Sequence, residues 1–559
     1  MSAIREGVFR HAAVLAVLAL LVATAAAQHR RRSHPPDARA LSPEEKQQAT
    51  KAIDELIERV KADKTIGGDK IDEAVSIISR AARALPPEEW LARVATLQQH
   101  RSDSAIPTRR KPLRSDKKLD RQILEMQVSA LKKVMPEKVP AHPCADAFPG
   151  PVPADAKRVS REIEIKTDVP GWHNNGIYGN PGNPYWHSTG LYAAPGEVVT
   201  VTVPGSVKDK GLHVRIGCHS DRLWQHKSWS RSPEVCARYP IVVDQTKAAN
   251  AFGGLIYIES PRDVGLPAFR ITIDGAVEAP YYVHGVTSVE QWRSSIRNDP
   301  APWAELQGKR IILTLPAADV RKLDDPKELM DFWDGVMDLY ADLLGRPPER
   351  RRLERFVPDV QLSAGYMHSG YPLMTMLDIT STMVDIERIK ANRHHGIWGL
   401  FHEIGHNHQN RDWTFHGTTE VTVNLFSLYV MEKVCGLPTG GHGCVTPQWR
   451  EKRMKRYFDG GTKFDEWKSD PFLGLAMYIE LQQKFGWEPF TKVFCEYRAL
   501  PDAERPKTDD QRRDQWMVRF SKTVGRNLGP FFQAWGVPTS EKARKSIEDL
   551  PVWMPNRKK

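Results

Sequence analysis

His402 and His406 stand four residues apart with Glu403 beside the first, and these residue types at this spacing can carry hydrolytic chemistry. On a helix, positions i and i+4 share a face, so both imidazoles can grip one metal ion. Glu403 is offset by one position, so its carboxylate can reach a water on that ion without being a ligand. In this H-E-x-x-H arrangement a zinc ion acidifies the water and the glutamate takes its proton. The mostly apolar run Gly396-Ile397-Trp398-Gly399-Leu400-Phe401 leads into it and predicts a buried helix start. Histidines and a glutamate within a buried helix are costly unless something satisfies them, and a metal does.

A catalytic zinc takes three protein ligands and leaves one position open. One zincin subclass supplies a third histidine through H-E-x-x-H-x-x-G-x-x-H. Here the glycine and histidine positions of that pattern hold Gln409 and Asp412, which excludes the subclass. The following segment, Thr418 to Tyr429, offers a glutamate instead. Its threonines are of the type that caps a helix start, and Val421, Leu425, Leu428 and Tyr429 recur at helical spacing. Glu420 falls in the first turn and Asn424 one turn on, along the same face. Glu420 is the expected third ligand and Asn424 a candidate partner for the ligands. The plain alternative for Glu420 is a first-turn glutamate that favours the helix dipole. His408 and His416 are rival ligands, the first facing another side of the helix and the second lying in the intervening loop.

The run from His402 to Gln409, then Trp413, then Thr419 to Ser427, resembles the enhancin-like, mucin-degrading metallopeptidases, a family that includes a branch of channel-associated factors in animals. Ser188 to Glu197 is similar to the segment that opens the peptidase module of that family. Gly253 to Ile258, Gly365 to Pro372, Leu481 to Trp487, Asn527-Leu528 and Phe531 to Gly536 resemble further family blocks, in family order, over roughly residues 160 to 540. The resemblance implies a glutamate third ligand, in the place of Glu420, and glycoprotein substrates, O-glycosylated ones above all. The residues by themselves imply only hydrolysis at a carbonyl. A peptidase-like protein that binds glycans or a protein partner is the alternative, against which the intact Glu403 and full ligand set stand.

The elements that must position these residues follow from composition. The chain has 559 residues, enough for several domains with ample core. Arg5 and Arg10, an apolar run from Ala12 to about Val22 and Ala25-Ala26-Ala27 predict a signal peptide over 1–27 rather than a membrane anchor, hence export and no stable membrane span. Residues 28–140 are basic and helical, with a linker near 101–119 rich in Arg, Lys and Pro. Residues 158–290 alternate in the strand pattern, as in Glu197 to Val203 and Phe269 to Ile273, and predict a β-sandwich-like module. Residues 300–445 mix strand and helix up to the metal helix, and residues 446–555 are largely helical. The expected fold is therefore α+β and multidomain: a helical N-terminal segment, a β-sandwich-like module, and a two-lobed zincin-like domain with a helical C-terminal lobe.

Six cysteines in an exported chain predict disulfides, with Cys218–Cys236, Cys435–Cys444 and Cys144–Cys495 the simplest of the 15 pairings. Trp172, Trp186, Trp224 and Trp229 crowd the β-rich region, where they either fill a core or stack on sugar rings. Tyr366, His368 and Tyr371 lie in a Gly-flanked loop able to line the cleft, where one could stabilise an oxyanion. The net charge of +11 raises nucleic acid as a partner, but the basic residues concentrate in the N-terminal tail and linker, and export argues against it. A solvated surface, or attraction to anionic glycoproteins, fits better.

Overall fold

A computed structural model of the chain describes residues 41–556 apart from 64–65, 67–69, 101–105 and 439–440. The expected signal peptide over 1–27 lies outside the described residues. The first described elements are helices α1 (Pro43–Ala62), α2 (Lys70–Ala84), α3 (Pro87–His100) and α4 (Lys118–Leu131). Ser42 opens α1 with a reciprocal cap: its hydroxyl accepts from Glu45 N–H and the Glu45 carboxylate accepts from Ser42 N–H. Ile53, Leu56, Ile78, Trp90 and Ile123 face inward, in a core that runs on into Phe252 and Tyr257 of the β module. The helices thus pack onto the rest of the molecule.

The β module holds β1 (Val159–Ile165), β2 (Tyr185–Ala193), β3 (Val198–Thr202), β4 (His213–Ile216), β5 (Ala237–Pro240), β6 (Gln245–Ala249), β7 (Gly254–Ser260) and β8 (Phe269–Glu278). They form an eight-stranded sheet in the order β5-β4-β7-β2-β8-β3-β6, with β1 also paired to β8. The long β8 serves both halves: Phe269 to Ala276 pair with β1 and β3, whereas Val277 and Glu278 pair with β2. It kinks at a bulge around Gly275, whose φ of +84° suits glycine alone. The two halves close on Val199, Val201, Val214, Ile216, Ile256, Ile258, Ile271 and Ile273, every one the inward member of an alternating pair. Of the four tryptophans, Trp186 and Trp229 are buried in cores, although not in that of the sandwich. Trp186 packs in the core between this module and the next, Trp224 and Trp229 form a satellite cluster beside α4, and Trp172 lies under Arg346 and Arg350.

A second, six-stranded sheet follows, from β9 (Tyr281–Val283), β10 (Trp303–Gln307), β11 (Ile311–Pro316), β12 (Glu354–Asp359), β13 (Met367–His368) and β14 (Leu373–Met376), in the order β9-β10-β11-β12-β14-β13. β11, β12 and β14 run parallel, and α5 (Pro326–Leu343) makes the crossover between β11 and β12. Buried on both faces, β11 and β12 read as continuous rather than alternating patterns. Two buried ion pairs, Arg355–Glu305 and Arg231–Asp359, tie this sheet together and to the β module. The chain then enters α6 (Ile397–His408) and α7 (Thr419–Cys435), and ends in α8 (Pro447–Asp459), α9 (Pro471–Phe485), α10 (Glu488–Ala499) and α11 (Asp509–Val524). Among the described residues no helix is long and apolar enough to cross a membrane.

The cysteine pairing is corrected: all six thiols are free. For Cys435, Cys495 and Cys144 the environments give the reason. The Cys435 sulfur faces Ile389 O, Cys495 faces the Leu344 and Gly345 carbonyls, and Cys144 is buried at the foot of the helical segment. Cys236 contacts His219 O near Cys218, and burial pushes both of these thiols up.

Candidate metal centre

The packing of α6 against α7 makes the site. Gly405, one residue before His406, sits in their crossing, where an added Cβ would come to 3.0 Å of both Val423 and Phe426. The close approach sets the first turn of α7 beside the histidines. Their Nε2 atoms lie 3.0 Å (His402) and 3.5 Å (His406) from one Glu420 carboxylate oxygen, and the two rings meet edge to face at 4.6 Å. Ligand atoms of His402, His406 and Glu420 all fall within 4.8 Å of one another. The expected threonine cap of α7 is absent: Thr418 precedes the helix, but its hydroxyl donates to Phe415 O. The helix needs little help, being buried nearly all round from Val421 to Met431 rather than along one stripe.

Each histidine is oriented from behind by an amide. The Asn424 amide nitrogen donates to Glu420 O at 2.7 Å, which turns its oxygen toward His402 Nδ1 at 2.8 Å. Trp398 Nε1 donates to the same oxygen. The Gln409 amide nitrogen donates to Thr419 O and to the Thr422 hydroxyl, so its oxygen faces His406 Nδ1 at 2.7 Å. An amide oxygen only accepts, so each Nδ1 carries a proton and each Nε2 is the atom turned toward Glu420. Protons shared between Nε2 and the carboxylate balance this group in the metal-free chain, and a metal ion would displace them and take the Nε2 lone pairs. Burial alone would lower the His406 imidazole, but Glu420 and Glu403 outweigh it and push it up to about 9. Burial would raise the Glu420 carboxyl, yet the two imidazoles hold it well below the usual range. Two nitrogens and one carboxylate oxygen, with partners behind them, fit a divalent transition metal.

A second group, Asp378, His394 and His395, also gathers three ligand types. Its chemistry differs. Gly396 N–H donates to His394 Nδ1 at 3.0 Å, which puts the proton of the neutral ring on Nε2 and leaves no free lone pair. Neither rival histidine joins the first group. His408 is buried, with Nδ1 donating to Ile404 O and Nε2 accepting from Arg350, and the His416 backbone is tied to Asp509.

Glu403 lies on the open side of α6, where its charge is felt by both His406 and His368. His368, on edge strand β13, holds Asp221 of the β module at 2.8 Å and donates its other nitrogen to Ser369 O. Burial would lower this imidazole, but Asp221 pushes it up to about 9, so it faces the site as a cation. Tyr371 is buried beneath Arg352, and Tyr366 packs beside His395.

Comparison with known proteins places the chain. Residues 154–274 match the profile of the N-terminal domain of M60-like peptidases, and residues 275–536 match that of peptidase M60, enhancin and enhancin-like. The chain belongs to the M60, enhancin-like peptidase family. Within it, the chain is 43% identical over 348 residues to TRPM8 channel-associated factor 2 of Bos taurus, covering 62% of this chain and 37% of that protein. It is 40% identical over 384 residues to a TRPM8 channel-associated factor homologue of Danio rerio, covering 68% of this chain and 40% of that one. The chain spans about two fifths of the length of these curated relatives. Its fold is similar to the crystal structure of a conserved Bacillus anthracis protein of unknown function (TM-score 0.56, 23% identity, 71% of this chain and 80% of that chain). It is also similar to the M60 catalytic domain of Clostridium perfringens ZmpC in complex with the sialyl T antigen (TM-score 0.51, 14% identity, 71% and 80%). The mixed α/β architecture is that of M60 peptidase catalytic domains.

Three residues around this site escape the sequence. Gln409 registers there only as the end of the family-like run and as the failure of a histidine-ligand pattern, and its bond to His406 is seen only in the fold. Tyr178 and Asp221 come from the β module, far before α6 in the chain, and only folding brings them to it.

Proposed function

We propose that the chain is an exported zinc-dependent endopeptidase that cleaves peptide bonds in glycoproteins, O-glycosylated mucin-like ones foremost. The observation that carries this reading is the convergence of His402 Nε2, His406 Nε2 and the Glu420 carboxylate, with Asn424 and Gln409 fixing both tautomers and Glu403 beside them. Membership of the M60 family supports proteolysis, and the sialyl T antigen held by the ZmpC domain supports glycoprotein substrates with carbohydrate contact. Export rests on the N-terminal residues alone, and an N-terminus at Gln28 in the mature protein is its direct test.

Zinc bound by His402, His406 and Glu420 supplies a Lewis acid that acidifies water and polarises the scissile carbonyl. Glu403 takes the proton of the attacking water on a carboxylate oxygen and passes it to the leaving amine nitrogen. Asn424 and Gln409 hold the imidazoles in place through both steps. The imidazolium of His368 adds positive charge on the side of Glu403.

A second reading, a peptidase-like protein that binds a partner, is favoured by one observation: the curated relatives near 40% identity are named for association with a channel. Digestion of a mucin and its enzymatically deglycosylated form, by the zinc-loaded and the chelated protein, separates the two. The peptidase reading expects zinc-dependent fragments from the glycosylated mucin. Fragments from the deglycosylated form alone overturn the glycan preference, and none from either, with zinc bound, overturns the peptidase in favour of the binding protein.

A further inference from the structure

The connection between β1 and β2 leaves the β module and runs to the metal helix. Trp172 N–H donates to Glu349 O, and Asn174 donates to the buried Glu354 carboxylate at 2.6 Å. Ile177 N–H donates to Gln409 O at the end of α6. Arg352 donates to the Gly179 and Asn180 carbonyls, and Asn183 donates to Tyr371 O. Gly176 lies so close to α6 that a Cβ there would overlap the Asn407 carbonyl, so this position must be glycine. Glu354 and Gly370, which take up the loop and its surroundings, are themselves bound by Asn407 of the metal helix.

Two residues beyond Gly176, the loop presents Tyr178 to the metal ligands. Its ring meets His406 edge to face at 5.1 Å and 77°. Burial and the nearby Glu420 carboxylate push its phenol up, which places the hydroxyl on the Glu420 side of the site. His406 is thereby held on two sides, by Gln409 at Nδ1 and by the tyrosine ring at its face. The first turn of α7 is held through Gln409 to Thr419 O, and the tyrosine stands on the Glu420 side of that turn.

We propose that Tyr178 is a positioning residue of the metal centre, so that the β module completes the site by fixing His406 and Glu420 from outside the helices that carry them. This deepens the zinc-peptidase reading and rests on it. Partners of this kind change metal affinity by roughly 10- to 100-fold when removed. The ring and the hydroxyl make separable contributions: Tyr178→Phe removes the second and Tyr178→Ala removes both.

The test is zinc affinity, measured by competition with a chromophoric chelator on full-length protein, alongside kcat and KM on a mucin-derived glycopeptide. Tyr239→Phe, remote from the site, is the control. Zinc dissociation constants are expected to rise about 3- to 10-fold for Tyr178→Phe and about 10- to 100-fold for Tyr178→Ala. At saturating zinc, kcat is expected to fall for Tyr178→Phe while KM stays within about twofold. A folded Tyr178→Ala protein binding zinc within about twofold of wild type would overturn the assignment. Should that variant not fold, wild-type zinc affinity and kcat in Tyr178→Phe overturn it instead. A wild-type protein that binds zinc but cleaves nothing refutes the peptidase while leaving the affinity series to judge Tyr178.

Discussion

At the scale of residues, the site is a question of where protons sit. His402 and His406 can offer Nε2 lone pairs to a metal only because Asn424 and Gln409 hold protons at Nδ1. Asn424→Ala is expected to free the His402 ring and lower zinc affinity about 10- to 100-fold, and to cost the apo protein about 1–3 kcal/mol because Trp398 Nε1 and His402 Nδ1 lose their buried acceptor; chelator competition and apo-protein melting check both. Equal affinity would mean that packing alone orients the ring. The motif residues and Glu420 were legible because ligand chemistry leaves a local signature: i, i+4 on one face, then a glutamate in the next helix. Asn424 was legible for the same reason, one turn from Glu420. Gln409 was not, because an amide supporting a ligand has no type signature until its partner is seen.

At the scale of elements, the crossing of α6 and α7 decides whether three side chains become one site. Gly405 is the contact point, and its neighbours Val423 and Phe426 are buried with nowhere to move. Gly405→Val is expected to part the helices, costing about 1–3 kcal/mol by overpacking. Zinc affinity should fall with it, because Glu420 rides on the displaced helix. Urea unfolding of the apo protein and a zinc titration read the two effects, and an unchanged affinity would show that Glu420 does not depend on this crossing. The two helices themselves were readable from apolar spacing. The threonine cap was misread because capping is a competition, and Phe415 O won the Thr418 hydroxyl. Likewise, Cys435 and Cys495 face backbone carbonyls, which spacing alone does not reveal.

At the scale of the whole molecule, the β module and the peptidase sheet meet at charged pairs beside the site. His368 and Asp221 join them on the Glu403 side, and pH tests the join. The His368 imidazole sits at about 9 in the folded chain, above its ordinary value near 6.5. Its stabilising contribution is therefore full below about pH 6.5 and is lost as pH rises through 9, by at most about 3 kcal/mol. Asp221 is lowered despite its burial, through its bonds to His368 and Ser363, so its own contribution is lost only in acid. Denaturant unfolding between pH 6 and 10 should show wild type weakening across that window, and His368→Asn a flatter profile. Parallel profiles would remove the pair from the interface. None of this was legible in the chain, where residue 221 stands 147 positions before residue 368.

On the proposed function, Glu403 moves the proton at a zinc held by His402, His406 and Glu420. The most direct measurement is cleavage of one O-glycosylated peptide by wild type and Glu403→Gln at matched zinc content, with fragments read by mass spectrometry. The account predicts zinc binding by both proteins and a rate lower by about 10²- to 10⁴-fold in the variant. Equal rates at equal zinc content would contradict it.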